Sequence, residues 1–407
     1  MRQFFEISGY EFKKILLRKR TAILLTLVIL ISTLSVFGTI IGDYYYTDDN
    51  GNEITVSRYD DEMLDRRNAE ALSGRAIDAD LIMEAVEAYR KIPMNTGRQY
   101  TDTKEYQQNA RKYSEIYRIS RQVFGLKNME DFLALTYEQA EQFDRIRLEN
   151  RDYIESSGRS EKLKAYWNDC LDKSPMVLTY EYSGGYDRFV AIMYTTGVMA
   201  AAAIIIIFSG IFSGEYASRA DGLILSSKHG KGLVIGAKLF VAFAISLGII
   251  LLLVAVTYAE TMIVWGSSGA DADYTLMGNM FPYPLTVGQS VLLYILCMSM
   301  TCLLFAAATS CLSALLKAPY NTVVIMSIIL IVPMFIAVPE GAPAWVCCLE
   351  NLLPTNMLAF WGATYEYQYE IFGLVIPPYI FLPIFTAAAA AVCTYFAYRG
   401  FEKHQIG

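Results

Sequence analysis

The sequence predicts an all-α polytopic membrane protein: six transmembrane helices plus a mainly helical extracytoplasmic domain with a small membrane-proximal β hairpin. Three observations predict it. Of 407 residues, 54% are hydrophobic and only 18% charged, whereas a soluble domain carries about a quarter charged residues. The charges are unevenly placed: 20 of 34 Lys and Arg and 29 of 41 Asp and Glu fall between Asp43 and Asp187. The rest of the chain holds six charge-free apolar stretches, each long enough for the roughly 20 residues that a spanning helix needs.

Those stretches are Thr21–Gly42, Phe189–Gly214, Leu239–Ala259, the latter part of Tyr274–Leu316, Ala318–Pro339 and Ile371–Tyr398. The fourth is too long for one helix, and Pro282 and Pro284 mark its entry, so the span is expected to begin near Leu285. The chain then divides into a cytoplasmic interfacial helix (1–20), a first span (21–42), an outer domain (43–187) and five further spans (188–407). Within the last part lie a cytoplasmic coupling loop (213–238) and outer loops (260–285 and 339–371).

Loop charges set the orientation, because cytoplasmic flanks hold the excess of Lys and Arg. Arg2, Lys13, Lys14, Arg18, Lys19 and Arg20 precede the first span. Arg219, Lys228, Lys231 and Lys238 lie between the second and third, Lys317 after the fourth, and Arg399 and Lys403 after the sixth. The two short outer loops carry Glu260, Asp271, Asp273, Glu340, Glu350, Glu366 and Glu370 and no Lys or Arg. Both termini are therefore expected in the cytoplasm, with the protein multi-pass in the cell (plasma) membrane. The first apolar run exceeds a signal-peptide core and lacks a small-residue cleavage site, so it is read as an uncleaved anchor.

The outer domain reads as helical. Asp49–Gly51 lies between Tyr44–Tyr46 and Ile54–Val56, a hairpin signal. Asp78 precedes the amphipathic set Leu81, Ile82, Ala85, Val86 and Tyr89. Thr136 with Gln139 forms a capping box. Tyr106, Tyr113, Ile116, Tyr117 and Phe124 make an aromatic stripe, read as the domain's own core in preference to a substrate surface. Val177 and Thr179–Tyr182 look strand-like and are expected to pair with the hairpin.

No bond-making chemistry is legible. No nucleophile elbow, HExxH or paired CxxC occurs. The two His, His229 and His404, stand alone, and no metal or cofactor is expected. Cys297, Cys302, Cys311 and Cys393 lie in apolar stretches, while Cys170, Cys347 and Cys348 fall outside, which allows one disulfide. The net charge of −7 comes from the diffuse −9 (20 minus 29) of the outer segment, and nucleic acid binding needs a clustered basic footprint instead. Coupling ions usually need ionisable groups within the spans. Here Lys238 and Glu260 sit at span ends and are expected to reach water. A phosphate loop is also missing: Ser226–Gly232 has Gly230-Lys231 without the flanking residues.

Energy would then come from another chain, and three features fit that. Phe4–Leu17 is a basic amphipathic helix, with Phe4, Phe5, Ile7, Phe12, Ile15 and Leu16 mostly on one side; an anchor to anionic lipid explains this segment equally well. The loop Ser213–Lys238 offers a short helix starting near Glu215, interrupted at Gly222, with Leu223 and Leu225 as apolar knobs beside Lys228 and Lys231. A solvated loop is the alternative. The segment from Pro339 to Glu370, with Trp345, Leu352, Leu353, Pro354 and Trp361, looks like broken outer helices, or equally an ordinary loop.

Glu215, Leu223, Leu225, Ser226, Gly230, Lys231 and Lys238 carry a resemblance to the type-2 ABC transporter permease family (ABC-2-like). There the second and third spans are joined by Glu, a Leu-rich segment, a Gly-basic pair and Lys. The six-span topology and interfacial helix are similar as well. The resemblance implies a membrane subunit of an ATP-driven exporter and no enzyme activity of its own. Its partners would be an ATP-binding ABC subunit, a second permease copy or homologue, and membrane lipid. It also implies that Glu215, Arg219, Leu223, Leu225, Lys228 and Lys231 couple to the ATPase. The apolar spans suit an amphipathic or peptide-like cargo. Small residues for helix contact are Gly38/Gly42, Gly210/Gly214 and Ala387–Ala391. The rival readings are a transmembrane sensor or scaffold with a ligand-binding outer domain, and an ion-coupled carrier.

Overall fold

The computed structural model describes residues 2–47, 53–93, 99–148, 160–226, 230–278, 282–339 and 341–403. The chain is mostly helical, with two small antiparallel sheets. Five helices are long and apolar enough to cross a membrane. The basic helix α1 (Arg2–Leu16) leads into the first of these, α2 (Lys19–Phe37). Strands β1 (Asp43–Thr47) and β2 (Glu53–Ser57) follow, paired with Tyr44 opposite Val56; their Asp49–Gly51 turn lies outside the described residues.

Next come α3 (Arg58–Glu70), α4 (Ala79–Tyr89), α5 (Ser114–Val123) and α6 (Glu161–Lys173). Asp78 caps α4 by accepting from the Leu81 amide at 2.9 Å, which fills one of the open donors of a helix start. Leu81, Ile82, Ala85, Val86 and Tyr89 are buried together with Tyr106, Tyr113 and Ile116. Tyr89 and Tyr117 pack with ring centroids 4.9 Å apart, so the aromatic stripe is core. Arg111 fastens this region to α3 through Asp61 and Asp65, each at 2.6 Å. Burial works against its charge, but the hydrogen bonds it donates to Asp65 and Asp61 outweigh it and raise its pKa above the ordinary value. Thr136 and Gln139 cap each other, though over the four-residue helix Tyr137–Ala140 only.

The strand-like segment near Thr179 does not join the hairpin. Thr179 bridges Ala76 instead, with the Tyr180 amide on the Arg75 carbonyl at 2.8 Å and the Ile77 amide on Leu178 at 2.8 Å. One face of that bridge is buried through the opposed side chains of Ile77 and Leu178, and Thr179 itself is exposed.

The remaining apolar helices are α7 (Gly184–Phe208), α10 (Ile235–Trp265), α11 (Val287–Leu315) and α14 (Pro378–Glu402). Between α7 and α10 lie two short helices, α8 (Ser213–Ala217) and α9 (Asp221–Ser226). After α11 come α12 (Pro319–Ile331) and α13 (Ala344–Asn351), then β3 (Tyr369–Ile371) paired with β4 (Leu374–Ile376). Helix α11 is capped by Thr286 with Gln289, two residues past the start expected at Leu285. Helix α7 begins five residues before Phe189, and its Gly185 lies so close to Gly266 that a Cβ would meet that carbonyl oxygen at 2.0 Å.

Two expected spans are shorter in the structure. In place of Ala318–Pro339, the apolar helix runs over Pro319–Phe335, its last four residues tightened into a 3-10 turn around Pro333; a proline has no N–H for the α ladder. In place of Ile371–Tyr398, the helix begins at Pro378, because β3–β4 uses the first residues and Pro377-Pro378 fixes the entry. Gly38 and Gly42 form no helix face either: α2 ends at Phe37, and Gly42 has φ +104° beyond it.

Breaks in the helical backbone are satisfied by neighbouring hydroxyls, as an apolar surrounding requires. Between α7 and α8, the amides of Phe212 and Ser213 each donate to Ser313 Oγ at 3.1 Å, and that hydroxyl donates to the Ser209 carbonyl at 2.7 Å. In the segment after α13, the Tyr294 hydroxyl donates to Leu358 O at 3.1 Å and Thr301 to Met357 O at 3.3 Å. Met357, Leu358, Ala359 and Ala363 are buried, so this broken-helix segment packs against α11 and is no free loop.

Candidate functional site

The second and third apolar helices are joined where four charges meet. Glu11 and Lys14 lie three residues apart on α1 and so share one face. Lys238, at the start of α10, places Nζ 3.0 Å from Glu11 Oε1 and 2.8 Å from Glu215 Oε1. Lys14 Nζ reaches the same Glu215 oxygen at 2.6 Å. Two acids and two bases cancel, and the order Glu11–Lys238–Glu215–Lys14 puts opposite signs at every contact.

Burial makes this cluster unlike a surface ion pair. The Lys238 side chain is 1% exposed, Glu215 10% and Glu11 13%. An unpaired ammonium there would cost several kcal/mol, and removal of one partner leaves that cost exposed. Glu215 also stands in the first turn of α8, where a helix favours negative charge. Ser8 and Ile15 of α1 are buried beside it, and Phe4 packs on Phe240 of α10 with centroids 5.7 Å apart.

Lys238 therefore does not snorkel to a surface, as its place at a span end suggests. It turns inward because α1 brings Glu11 over it. The missed residues are Glu11 and Lys14. Their signal was present: Ile7, Glu11 and Ile15 recur at intervals of four, which sets an acid in the apolar stripe of a basic helix.

The loop beyond the cluster divides differently from expectation. It breaks at Ser218–Ala220, not at Gly222, which lies inside α9. The Ala220 amide donates to Glu215 O at 2.9 Å and the Arg219 amide to Tyr216 O at 3.1 Å, the paired bonds of a Schellman ending. Arg219 takes the left-handed position with φ 56° and is exposed. Leu223 and Leu225 lie on α9 and Lys231 in the turn Gly230–Val234, but their side chains, like all of Lys228, lie outside the described residues. The structure thus unites Glu215 with Lys238 and places Arg219 on the adjoining surface.

No family model, no curated protein and no solved structure matches the chain.

A second polar group lies within the apolar helices. Ser32 of α2 shares hydrogen bonds with Thr196 of α7 at 3.0 Å and Thr257 of α10 at 2.9 Å. Next to it, Thr33 donates to Glu260 Oε1 at 2.7 Å. Glu260 does not sit at a helix end reaching water: α10 continues five residues beyond it, and its Oε2 is buried with no hydrogen-bond partner among the described residues.

On the far side from the charge cluster, a cavity of about 250 Å³ separates α3 and α5 from the start of α7 and the end of α10. Arg188 pairs there with Glu62 at 2.8 Å and lies over the Trp265 ring, while Arg118 donates to Leu276 O at 2.8 Å. Among the described residues no three His, Cys, Asp or Glu side chains converge as metal ligands, and all seven cysteines are free. What the charge cluster can do is mechanical: it holds three segments of chain in one block.

Proposed function

We propose that the chain is the permease subunit of an ATP-driven ABC-2-type exporter, coupled to a separate ATP-binding subunit and paired with a second permease copy or homologue. The observation that carries this reading is the Glu11–Lys238–Glu215–Lys14 cluster. It fastens α1, α8 and α10 together beside the loop that carries Arg219, so a push on that loop reaches the second and third apolar helices at once. In this reading Glu215 is the lock inside the coupling block, and the exposed Arg219 and the α9–Lys231 segment meet the motor.

The topology that goes with it has six spans, both termini in the cytoplasm and residues 43–187 outside. Helix 319–335 then crosses as the fifth span. Its 17 residues reach about 25 Å, a shortfall that local thinning of the bilayer accommodates. The cargo is amphipathic or peptide-like.

The test is co-purification of an ATPase with the full chain and measurement of its turnover. Glu215→Ala is expected to leave insertion intact and to uncouple hydrolysis from transport. ATP turnover that never depends on this chain would sink the proposal. The cavity under α3 and α5 favours one other reading, a sensor whose outer module binds a small polar ligand and signals through α7 and α10. Ligand-dependent change in the helices without any ATPase partner would select it.

A further inference from the structure

We infer that the cleft beside the charge cluster is a binding site for one anionic phospholipid. The cleft, of about 550 Å³, lies between the α1–α2 junction, the end of α7 and the start of α12. Its mouth carries three cations, Lys14, Arg18 and Arg20. Lys14 is engaged with Glu215. The guanidinium groups of Arg18 and Arg20 are exposed and make no hydrogen bond or ion pair among the described residues. Two unanswered positive charges therefore face a concave site whose one carboxylate already has two lysine partners.

The walls are of the opposite character. Leu24, Ile206, Ile207 and Val323 give them an apolar surface that continues along the apolar helices. Tyr320 stands at the edge, 74% exposed, the position an amphipathic ring takes at headgroup depth. At Gly214 an added Cβ would meet nothing within 4 Å. Phosphate chemistry at the mouth and hydrocarbon behind it fit a molecule with an anionic head and acyl chains. A free inorganic anion would use the first part and leave the second empty. Arginine suits the headgroup because its planar fork can contact two phosphate oxygens at once.

The experiment counts bound lipid on the purified full chain by native mass spectrometry, with phosphatidylglycerol or phosphatidylcholine supplied in detergent. The wild type is expected to retain phosphatidylglycerol in preference to phosphatidylcholine, and excess inorganic phosphate should not displace it. Arg18→Gln with Arg20→Gln is expected to weaken retention roughly thirtyfold, the effect two juxtamembrane cations ordinarily exert on an anionic lipid. Lys19→Gln, one charge removed from the same stretch but outside the cleft, should retain the lipid. Gly214→Leu fills the cleft without changing charge and should lose it too.

Wild-type retention in the double arginine variant overturns the site, provided its unfolding temperature is unchanged. Full displacement by phosphate overturns the lipid in favour of a soluble anion. If Gly214→Leu instead splits a dimer while lipid retention stays constant, the cleft is a protein interface and the inference fails.

Discussion

Lys238 and Glu215 meet at 2.8 Å where the lysine side chain is 1% exposed, and the two are 23 residues apart in sequence. The second acid of α1, Glu11, completes the coordination of that lysine. Lys238→Met leaves two carboxylates facing one lysine, and breaking a buried pair from one side costs about 3–5 kcal/mol. The expected outcome is a large drop in thermal unfolding temperature in detergent. Adding Glu11→Gln restores neutrality and should recover more than half of the loss. A double variant as unstable as the single one would show that packing, not charge, dominates.

The left-handed Arg219 offers a prediction of opposite sign. A side chain at positive φ costs about 1 kcal/mol that glycine does not incur. Arg219→Gly should therefore raise the unfolding temperature slightly, and Arg219→Val, β-branched, should lower it. Equal temperatures for the two variants would argue against the Schellman ending.

Within the apolar helices, Thr33 is the donor to Glu260 Oε1. Thr33→Val removes a bond to a charged group, worth roughly 1.5–3 kcal/mol, and should destabilise the protein. Glu260→Gln keeps an oxygen acceptor for Thr33 and replaces a partly buried carboxyl whose Oε2 has no hydrogen-bond partner among the described residues, so it should be neutral or stabilising. Calorimetry of both variants decides; a strongly destabilised Glu260→Gln would mean that the charge itself is used.

Alkaline pH should loosen the tyrosine-rich region packed around α4 and α5. Burial pushes the Tyr106 phenol up to about 12, so the folded state favours the neutral ring. The resulting stability is complete below the ordinary tyrosine value of about 10 and fades as pH rises from there to about 12. Roughly 3 kcal/mol is involved. Tyr106→Phe cannot ionise and should lose less between neutral and strongly alkaline pH, measured as the shift in urea midpoint.

Much of this was legible because apolar length and capping are local. Asp78, Thr136 and Gln139 stand where a helix start needs an oxygen, and the two hairpin strands lie on either side of the Asn-Gly pair. The aromatic stripe resolves as core as well, with Tyr106, Tyr113 and Ile116 buried and Tyr117 and Phe124 packed against them. What escaped is what depends on distant partners. Lys238 looks like a surface lysine until α1, more than 200 residues earlier, is laid over it. Glu260 looks terminal until α10 is seen to run five residues further. The second strand of the β3–β4 hairpin hides in an apolar run because Leu374–Ile376 is as hydrophobic as a span, with only Phe372-Gly373 to mark the turn. Phe372 adopts φ 50° there and is fully exposed.

The charge cluster also has an order in time. The ribosome delivers the chain from its amino end, so the four groups emerge as Glu11, Lys14, Glu215 and Lys238. An acid comes first, then a base, then an acid, then a base. The running sum at the site is −1, 0, −1, 0, and at no stage must the growing protein shelter more than one unmatched charge. The last group delivered is the one sealed most completely from water, and both its counter-charges are already waiting when α10 is threaded into place.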